Sequence, residues 1–103
     1  MTQVLQHVVL FKFTDETTDA DVEKISTAFA NLENEIDEVL AFEGGSDVSV
    51  EGLQNGFTHC FTITLDGEEG REAYLPHPAH KAFGALVTPH VDKVTVIDYW
   101  AEV

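Results

Sequence analysis

The chain has 103 residues, of which 44% are hydrophobic and 23% are charged. This length and composition are typical of a small globular protein, so we predict one domain over residues 1–103. Nineteen acidic residues against five Lys and Arg give a formal net charge of -14. A surface this acidic repels phosphate backbones and anionic lipid headgroups, which argues against nucleic-acid and membrane-surface partners.

The single cysteine, Cys60, cannot form a disulfide within the chain. It alternates with Thr58 and Thr62 in a predicted strand, and we expect a small buried or half-buried thiol. The first residues lack the basic region and the apolar core of a signal peptide, and no apolar run is long enough to cross a bilayer. The sequence therefore predicts a cytoplasmic location.

The first predicted element is a strand over Val4–Phe13. Apolar side chains occur on both of its faces, which is typical of a central strand covered on both sides. One face carries Leu5, His7, Val9, Phe11 and Phe13.

An amphipathic helix follows this strand. Apolar residues recur at intervals of three and four from Val22 to Ile36, which predicts a helix over Asp19–Ile36. Thr18 is placed to cap its first turn, where acidic residues also favour the positive end of the helix dipole.

Two further strands are predicted in the middle of the chain. The second begins at Val39–Phe42, and Gly44 and Gly45 interrupt it as a bulge or a kink. The polar stretch Ser46–Gly56 reads as the end of that strand and a loop. Phe57–Leu65 alternates regularly between apolar and polar residues, which predicts the third strand.

The last third of the chain predicts a short helical segment, a second helix and a final strand. The short segment lies near Tyr74. Pro78 fits the first turn of a helix that continues over Ala79–Val87, because its missing N–H costs nothing there. Pro89 ends or kinks this helix, and Val94–Trp100 is the predicted last strand.

The order βαββαβ predicts an α+β fold of the ferredoxin-like type, with an antiparallel four-stranded sheet. The helices can cover only one face of that sheet. Strands one and three both carry large apolar residues, and an exposed patch of that kind is unusual. We therefore predict that the sheets of two copies dock face to face and form a homodimer.

The chain has five histidines, His7, His59, His77, His80 and His90, and the first four are candidate functional residues. His7 and His59 lie on the apolar faces of two strands, either as buried imidazoles with a backbone or hydroxyl partner or as polar groups in a ligand cavity. His77 and His80 have the spacing H-x-x-H, and His59 could join them. No Glu or second Cys stands at the spacing of known zinc motifs, so no metal site is predicted.

Of the five histidines, His80 is the best candidate for acid–base chemistry. It falls in the first turn of the predicted helix, on the face that carries Phe83 and Val87. A helix N-terminus and burial both disfavour an added proton, so His80 is expected to be neutral and able to accept one. Tyr74 could supply a phenolic donor nearby. The alternative is a structural role for His80, packed beneath a His-Pro helix start.

Several segments together resemble the stress-responsive A/B barrel (Dabb) family. They are His7–Phe13, Gly45–Val48, Gly56–His59, Tyr74–Phe83 and the pair Asp98-Tyr99. The resemblance implies ferredoxin-like subunits that form a dimeric α/β barrel. It also implies chemistry, because a polyketide cyclase of this family closes its substrate by an aldol step without a metal cofactor. Its tyrosine and histidine acid–base pair resembles Tyr74 and His80.

On this resemblance we assign Tyr74 and His80 as the catalytic candidates and expect a small apolar carbonyl ligand and no cofactor. The substrate-binding candidates are His7, His59, Phe61, His77 and Phe83. The large Phe61 and Ile63 predict a small or filled cavity. Some family members hold magnesium near the end of helix one, and Ile36–Leu40 resembles that site weakly. The alternative function is a non-catalytic stress or structural protein whose histidines are structural.

Overall fold

The structure is a computed structural model, and it describes residues 3–103. The sheet is antiparallel throughout, with the strand order β2-β3-β1-β4. This arrangement confirms the predicted ferredoxin-like α+β fold. The elements, in chain order, are β1 (Gln3–Phe13), α1 (Asp19–Glu35), β2 (Val39–Ser46), β3 (His59–Leu65), α2 (Gly67–Tyr74), α3 (Pro78–Val87), a short 3-10 helix (Thr88–His90) and β4 (Val91–Glu102).

Helix α1 begins where the sequence predicts, because a capping box defines its first turn. The Thr18 hydroxyl accepts a hydrogen bond from the Asp21 backbone N–H at 3.1 Å, and the Asp21 carboxylate accepts one from the Thr18 N–H at 3.0 Å. The helix ends at Glu35, one residue earlier than predicted. Ile36 is its extended C-cap, and its side chain is fully buried.

The core lies between one face of the sheet and the three helices. Its centre is aromatic: the Phe29 ring stacks on Phe83 with centroids 4.3 Å apart and packs against Phe61 at 5.2 Å. Strand alternation places Leu5, Val9 and Phe11 on this face, as the sequence predicts. The core therefore joins α1 and α3 to β1 and β3.

Strands β3 and β4 begin at residues other than the predicted ones. Strand β4 begins at Val91 instead of Val94, because it pairs with β1 along its whole length, from Gln3 opposite Glu102 to Phe13 opposite Val91. Strand β3 begins two residues later than predicted. Phe57 still belongs to the preceding turn, where its N–H donates to the Gln54 carbonyl oxygen at 3.0 Å.

The glycines of β2 do not form the predicted bulge. The register shift lies between Val39 and Ala41. Gly44 is required for a different reason: a Cβ at this position would meet the Phe61 ring and the Cys60 carbonyl oxygen. The absence of a side chain lets β2 and the Phe61 ring approach each other closely.

The sheet face opposite the helices, here called the outer face, is less apolar on β3 than expected. The large apolar side chains of β3 all point toward the helices, and Thr58, Cys60, Thr62 and Thr64 occupy its outer side. Cys60 is exposed, so the prediction of a buried or half-buried thiol is wrong for the single chain. Exposed apolar side chains on the outer face come from β4, with Ile97 58% and Tyr99 51% exposed.

None of the helices among residues 3–103 combines the length and the apolar character needed to cross a bilayer.

Candidate active site

A groove of about 520 Å³ opens between helix α3 and the edge strand β4. The floor is β1, and Tyr74 at the end of α2 closes one end. The groove exists because the helices cover β1 more fully than β4, whose helix-facing Val94 and Val96 remain 49% and 51% exposed. Its walls are mainly apolar, contributed by Phe29, Phe83 and the β4 valines among others. Apolar walls with a few polar groups are typical of small-molecule sites.

Tyr74 places a buried phenol at this groove. The residue is fully buried, and its hydroxyl has no hydrogen-bond partner among residues 3–103. Burial raises the pKa of Tyr74 well above its ordinary value, so the phenol keeps its proton at physiological pH. A buried hydroxyl without a protein partner is uncommon and costs free energy, which makes Tyr74 an available donor inside the groove.

His80 lies beside Tyr74, with ring centroids 4.5 Å apart. Its Nδ1 is 2.9 Å from the Leu75 carbonyl oxygen, which can only accept, so Nδ1 carries the proton and donates. Nε2 is then the free acceptor of the neutral ring. Burial lowers the pKa of His80; the Leu75 carbonyl opposes this shift and the neighbouring His7 adds to it. His80 is therefore held as a neutral base of defined tautomer.

His7 is the buried polar residue on the groove floor. Its Nδ1 lies 2.7 Å from Oδ1 of Asp98, and its ring meets the Tyr74 ring edge-on at 5.8 Å. Of the two interpretations that the sequence left open for His7, the structure favours the polar group in a cavity, and its partner is a carboxylate from β4 instead of a backbone or hydroxyl group. A carboxylate only accepts hydrogen bonds, so it fixes the proton of His7 on Nδ1.

Asp98 is shared between two partners. Its Oδ2 accepts a hydrogen bond from Arg71 Nη1 at 2.8 Å, while Oδ1 faces His7. Partial burial raises the pKa of Asp98, but the hydrogen bonds from Arg71 and His7 and the positive charge of Arg71 outweigh it and leave that pKa below its ordinary value. Asp98 is therefore ionised, and its charge is matched by Arg71.

Asp98 and Arg71 are absent from the sequence-based candidates. The only signal for Asp98 in the sequence is the Asp98-Tyr99 pair of the family resemblance. In the structure, Asp98 stands directly opposite His7 in the β1–β4 register. Arg71 lies three residues before Tyr74 on α2, so it reaches Asp98 from the same helix that carries the phenol.

The structure brings together four of the seven sequence-based candidates at the groove: Tyr74, His80, His7 and Phe83. His59 lies elsewhere on the sheet, where its ring contacts Phe13 and Phe61 and its Nδ1 is 2.9 Å from the Thr58 hydroxyl.

The two remaining candidates, His77 and Phe61, also lie outside the groove. His77 caps α3 by accepting a hydrogen bond from the Ala79 N–H at 3.0 Å. Phe61 is a core residue, like its neighbour Ile63. These two large side chains therefore do not fill the groove, contrary to the expectation from the sequence.

Within residues 3–103, no group of three or more His, Cys, Asp or Glu side chains is arranged to hold a metal ion. His77 and His80 each engage a backbone group through Nδ1. In the Ile36–Leu40 segment, the carbonyl oxygens of Ile36 and Glu38 accept backbone hydrogen bonds.

Fold and groove together define a class: small ferredoxin-like α+β domains with an apolar groove that holds an acid–base set of side chains. A family model described as the stress responsive A/B barrel domain matches residues 5–101. The chain therefore belongs to the stress-responsive A/B barrel (Dabb) family, which confirms the resemblance seen in the sequence.

Comparison with individual proteins shows which members of the family the chain is similar to. The chain is 40% identical to the stress-response A/B barrel domain-containing protein HS1 of Arabidopsis thaliana, over 92% of this chain and 87% of that protein. It is 32% identical to olivetolic acid cyclase of Cannabis sativa, over 92% and 94% of the two chains. Among solved structures, a dimeric ferredoxin-like protein from Thermobifida fusca superposes with a TM-score of 0.82 at 27% identity, over 96% and 92% of the two chains.

Proposed function

We propose that this protein binds a small carbonyl compound in the groove and catalyses proton transfer next to the carbonyl, with Tyr74 as the acid and His80 as the base. One observation carries the proposal: a buried phenol without a hydrogen-bond partner among residues 3–103 lies beside a neutral imidazole of fixed tautomer. The centroids of the two rings are 4.5 Å apart. Its family membership and its similarity to a cyclase support the same chemistry.

The chemistry follows from what each group can do. Nε2 of His80 removes a proton from the carbon next to the carbonyl, and the electron pair moves onto the carbonyl oxygen. The Tyr74 hydroxyl donates a hydrogen bond to that oxygen, where negative charge develops. The resulting enolate can attack a second carbonyl of the same molecule, which closes a ring. The proton held by His80 then returns to the new alkoxide oxygen.

His7 and Asp98 complete the proposed site as a supporting pair. Asp98 holds the His7 ring in one orientation at the groove floor, and Arg71 holds Asp98. With its proton on Nδ1, His7 can therefore accept one further hydrogen bond through Nε2 without changing its position. In the proposed reaction, His7 orients the ligand, His80 moves the proton and Tyr74 donates a hydrogen bond to the carbonyl oxygen.

We also propose that the protein acts as a homodimer formed through the outer face of the sheet. Exposed apolar side chains on this face and on the loop that follows β2, such as Ile97, Tyr99 and Val50, support this arrangement. The relative from Thermobifida fusca is described as dimeric. Docking of two outer faces would give the dimeric α/β barrel that the family resemblance implies, and it leaves the groove on the helix side of each subunit.

The proposed chemistry can be tested by hydrogen exchange in an uncharged ketone. We would incubate 4-phenyl-2-butanone with the protein in D₂O and follow loss of the proton signals next to the carbonyl by NMR. We expect exchange above the buffer rate, reduced by about 100-fold in His80→Gln, as for loss of a general base. Tyr74→Phe should also slow exchange, since it removes the donor to the enolate oxygen.

His59→Gln is the matched control, because it changes a histidine of the same sheet face outside the groove. An unchanged rate in both Tyr74→Phe and His80→Gln, with only their melting temperatures lowered, would contradict the proposal. That result would favour the alternative of a non-catalytic stress or structural protein.

A further inference from the structure

The groove has polar groups, but no Lys or Arg among residues 3–103 lines it, so a ligand meets no permanent positive charge there. Its polar side chains are the phenol of Tyr74, the imidazoles of His7 and His80, the carboxylate of Asp98 and the Thr88 hydroxyl. The Thr88 hydroxyl donates to the Gly84 carbonyl oxygen at 2.6 Å, at the end of α3. The carboxylate of Asp98 can only accept hydrogen bonds, so it offers nothing to an anionic ligand.

All five basic side chains of the sequence lie among residues 3–103, and none lines the groove. Arg71 approaches only from behind Asp98, to which its Nη1 is already bound at 2.8 Å. A ligand carboxylate would have to compete with Asp98 for it. Lys12 pairs with Asp92 at 3.3 Å, and Lys93 lies over the Phe57 ring, so both are engaged elsewhere.

The net charge of the whole chain also disfavours anionic ligands. A net charge of -14 on 103 residues produces a negative potential around the molecule, which lowers the local concentration of anions. Burial also disfavours the protonated form of His80, so this ring does not supply a compensating positive charge.

We infer that the groove selects uncharged ligands, namely ketones, aldehydes or esters with an apolar body, and discriminates against carboxylic acids and phosphate-bearing thioesters. This inference rests on the proposed function of the groove as a ligand site. It narrows the substrate class: the carbonyl compound reaches this protein as a neutral molecule, without an anionic carrier.

Two near-isosteric probes test the inference. 4-Phenyl-2-butanone and 3-phenylpropanoate share the phenylethyl body and differ in a methyl ketone against a carboxylate. We would titrate each at about pH 8 by NMR, with the His7, Tyr74 and His80 rings as reporters. We expect the ketone to bind at least about tenfold more tightly, because the carboxylate loses hydration without gaining a counter-charge.

A designed variant provides a second, independent test of the inference. Val94 lies at the groove mouth and is 49% exposed, so Val94→Lys can place a cation there without disturbing the core. We expect Val94→Lys to raise the ratio of carboxylate affinity to ketone affinity by about threefold to tenfold. Val94→Met is the control of similar size without charge, and it should leave the ratio of the two affinities unchanged.

The outcomes separate the two levels of the proposal. Equal affinity for the two probes, or tighter binding of 3-phenylpropanoate to the unmodified protein, would overturn the inference and leave the groove as a ligand site. No effect of Val94→Lys on the affinity ratio would count against the electrostatic cause. Failure of both probes to perturb the groove would contradict the ligand site itself, and the inference would fall with it.

Discussion

Two ends of the same sheet face carry a histidine, and the structure treats them differently. At the groove end, His7 is buried against a carboxylate, and its ring meets Tyr74. At the opposite end, His59 is only half-buried, its ring packs against Phe13 and Phe61, and its polar partner is the hydroxyl of the adjacent Thr58. Strand alternation places both imidazoles on one face, but the neighbours across the sheet decide which becomes part of a site.

The largest expected effect concerns Tyr74, the buried residue of the groove end. Tyr74→Ala should lower the free energy of unfolding by about 3–5 kcal/mol, because it leaves a cavity in the core. Tyr74→Phe should change it by less than about 1 kcal/mol, since the hydroxyl has no protein partner to lose. Urea denaturation of both variants measures the difference. A loss in Tyr74→Phe as large as in Tyr74→Ala would show that the hydroxyl is bonded.

The next effect concerns Gly44, which lies against the Phe61 ring at the His59 end of the sheet face. Gly44→Ala should cost about 1–3 kcal/mol, because its Cβ would meet the Phe61 ring and a β3 carbonyl oxygen. Gly45→Ala is the matched control, since a Cβ there meets open space, and we expect a change within about 0.5 kcal/mol. Equal stability of the two variants in urea would mean that the Phe61 side chain moves aside at no measurable cost in free energy.

A direct comparison of the two histidines should give a smaller difference. His7→Leu removes a buried partner of Asp98 and should cost about 1–2 kcal/mol. His59→Leu should stay within about 0.5 kcal/mol, because His59 is half-buried and loses only a local hydroxyl contact. Chemical denaturation of both variants at pH 8 measures the difference. Similar losses for the two variants would remove the distinction between the ends of the sheet.

The smallest expected effect is a pH dependence that both ends share. Burial lowers the pKa of His59 and of His80 below the ordinary value of 6.5. The unfolded chain therefore binds protons more readily, and the free energy of unfolding falls as pH drops through about 6.5 and below. His80→Leu and His59→Leu should each reduce the change in that free energy between pH 8 and pH 5.5. A pH profile unaltered by both substitutions would contradict these pKa shifts.

Much of the fold can be predicted from the sequence because its signals are local. The alternation in β1, the apolar stripe of α1 and the positions of Thr18 and Pro78 depend on neighbours within a few residues. The same logic gives Tyr74 and His80 their closeness, since only five residues and one helix start separate them. These predictions need no knowledge of long-range pairing.

The rest depends on contacts between distant parts of the chain. The partner of His7 is set by the β1–β4 register, which places Asp98 opposite a residue 91 positions away. The role of Gly44 depends on the ring of Phe61 in the adjacent strand. His77 shows a further difficulty: a histidine before a helix reads as a ligand candidate, but its geometry makes it a cap.

The bare outer face also has a consequence for how two copies would meet. Each copy brings a net charge of -14, so their association works against strong mutual repulsion. Raising the ionic strength from 0.01 M to 0.1 M shortens the screening length from about 30 Å to about 10 Å, while the apolar contribution of side chains such as Ile97 persists. The proposed dimer should therefore tighten with added salt, and dilution into a salt-poor buffer should release single chains with an accessible Cys60 thiol.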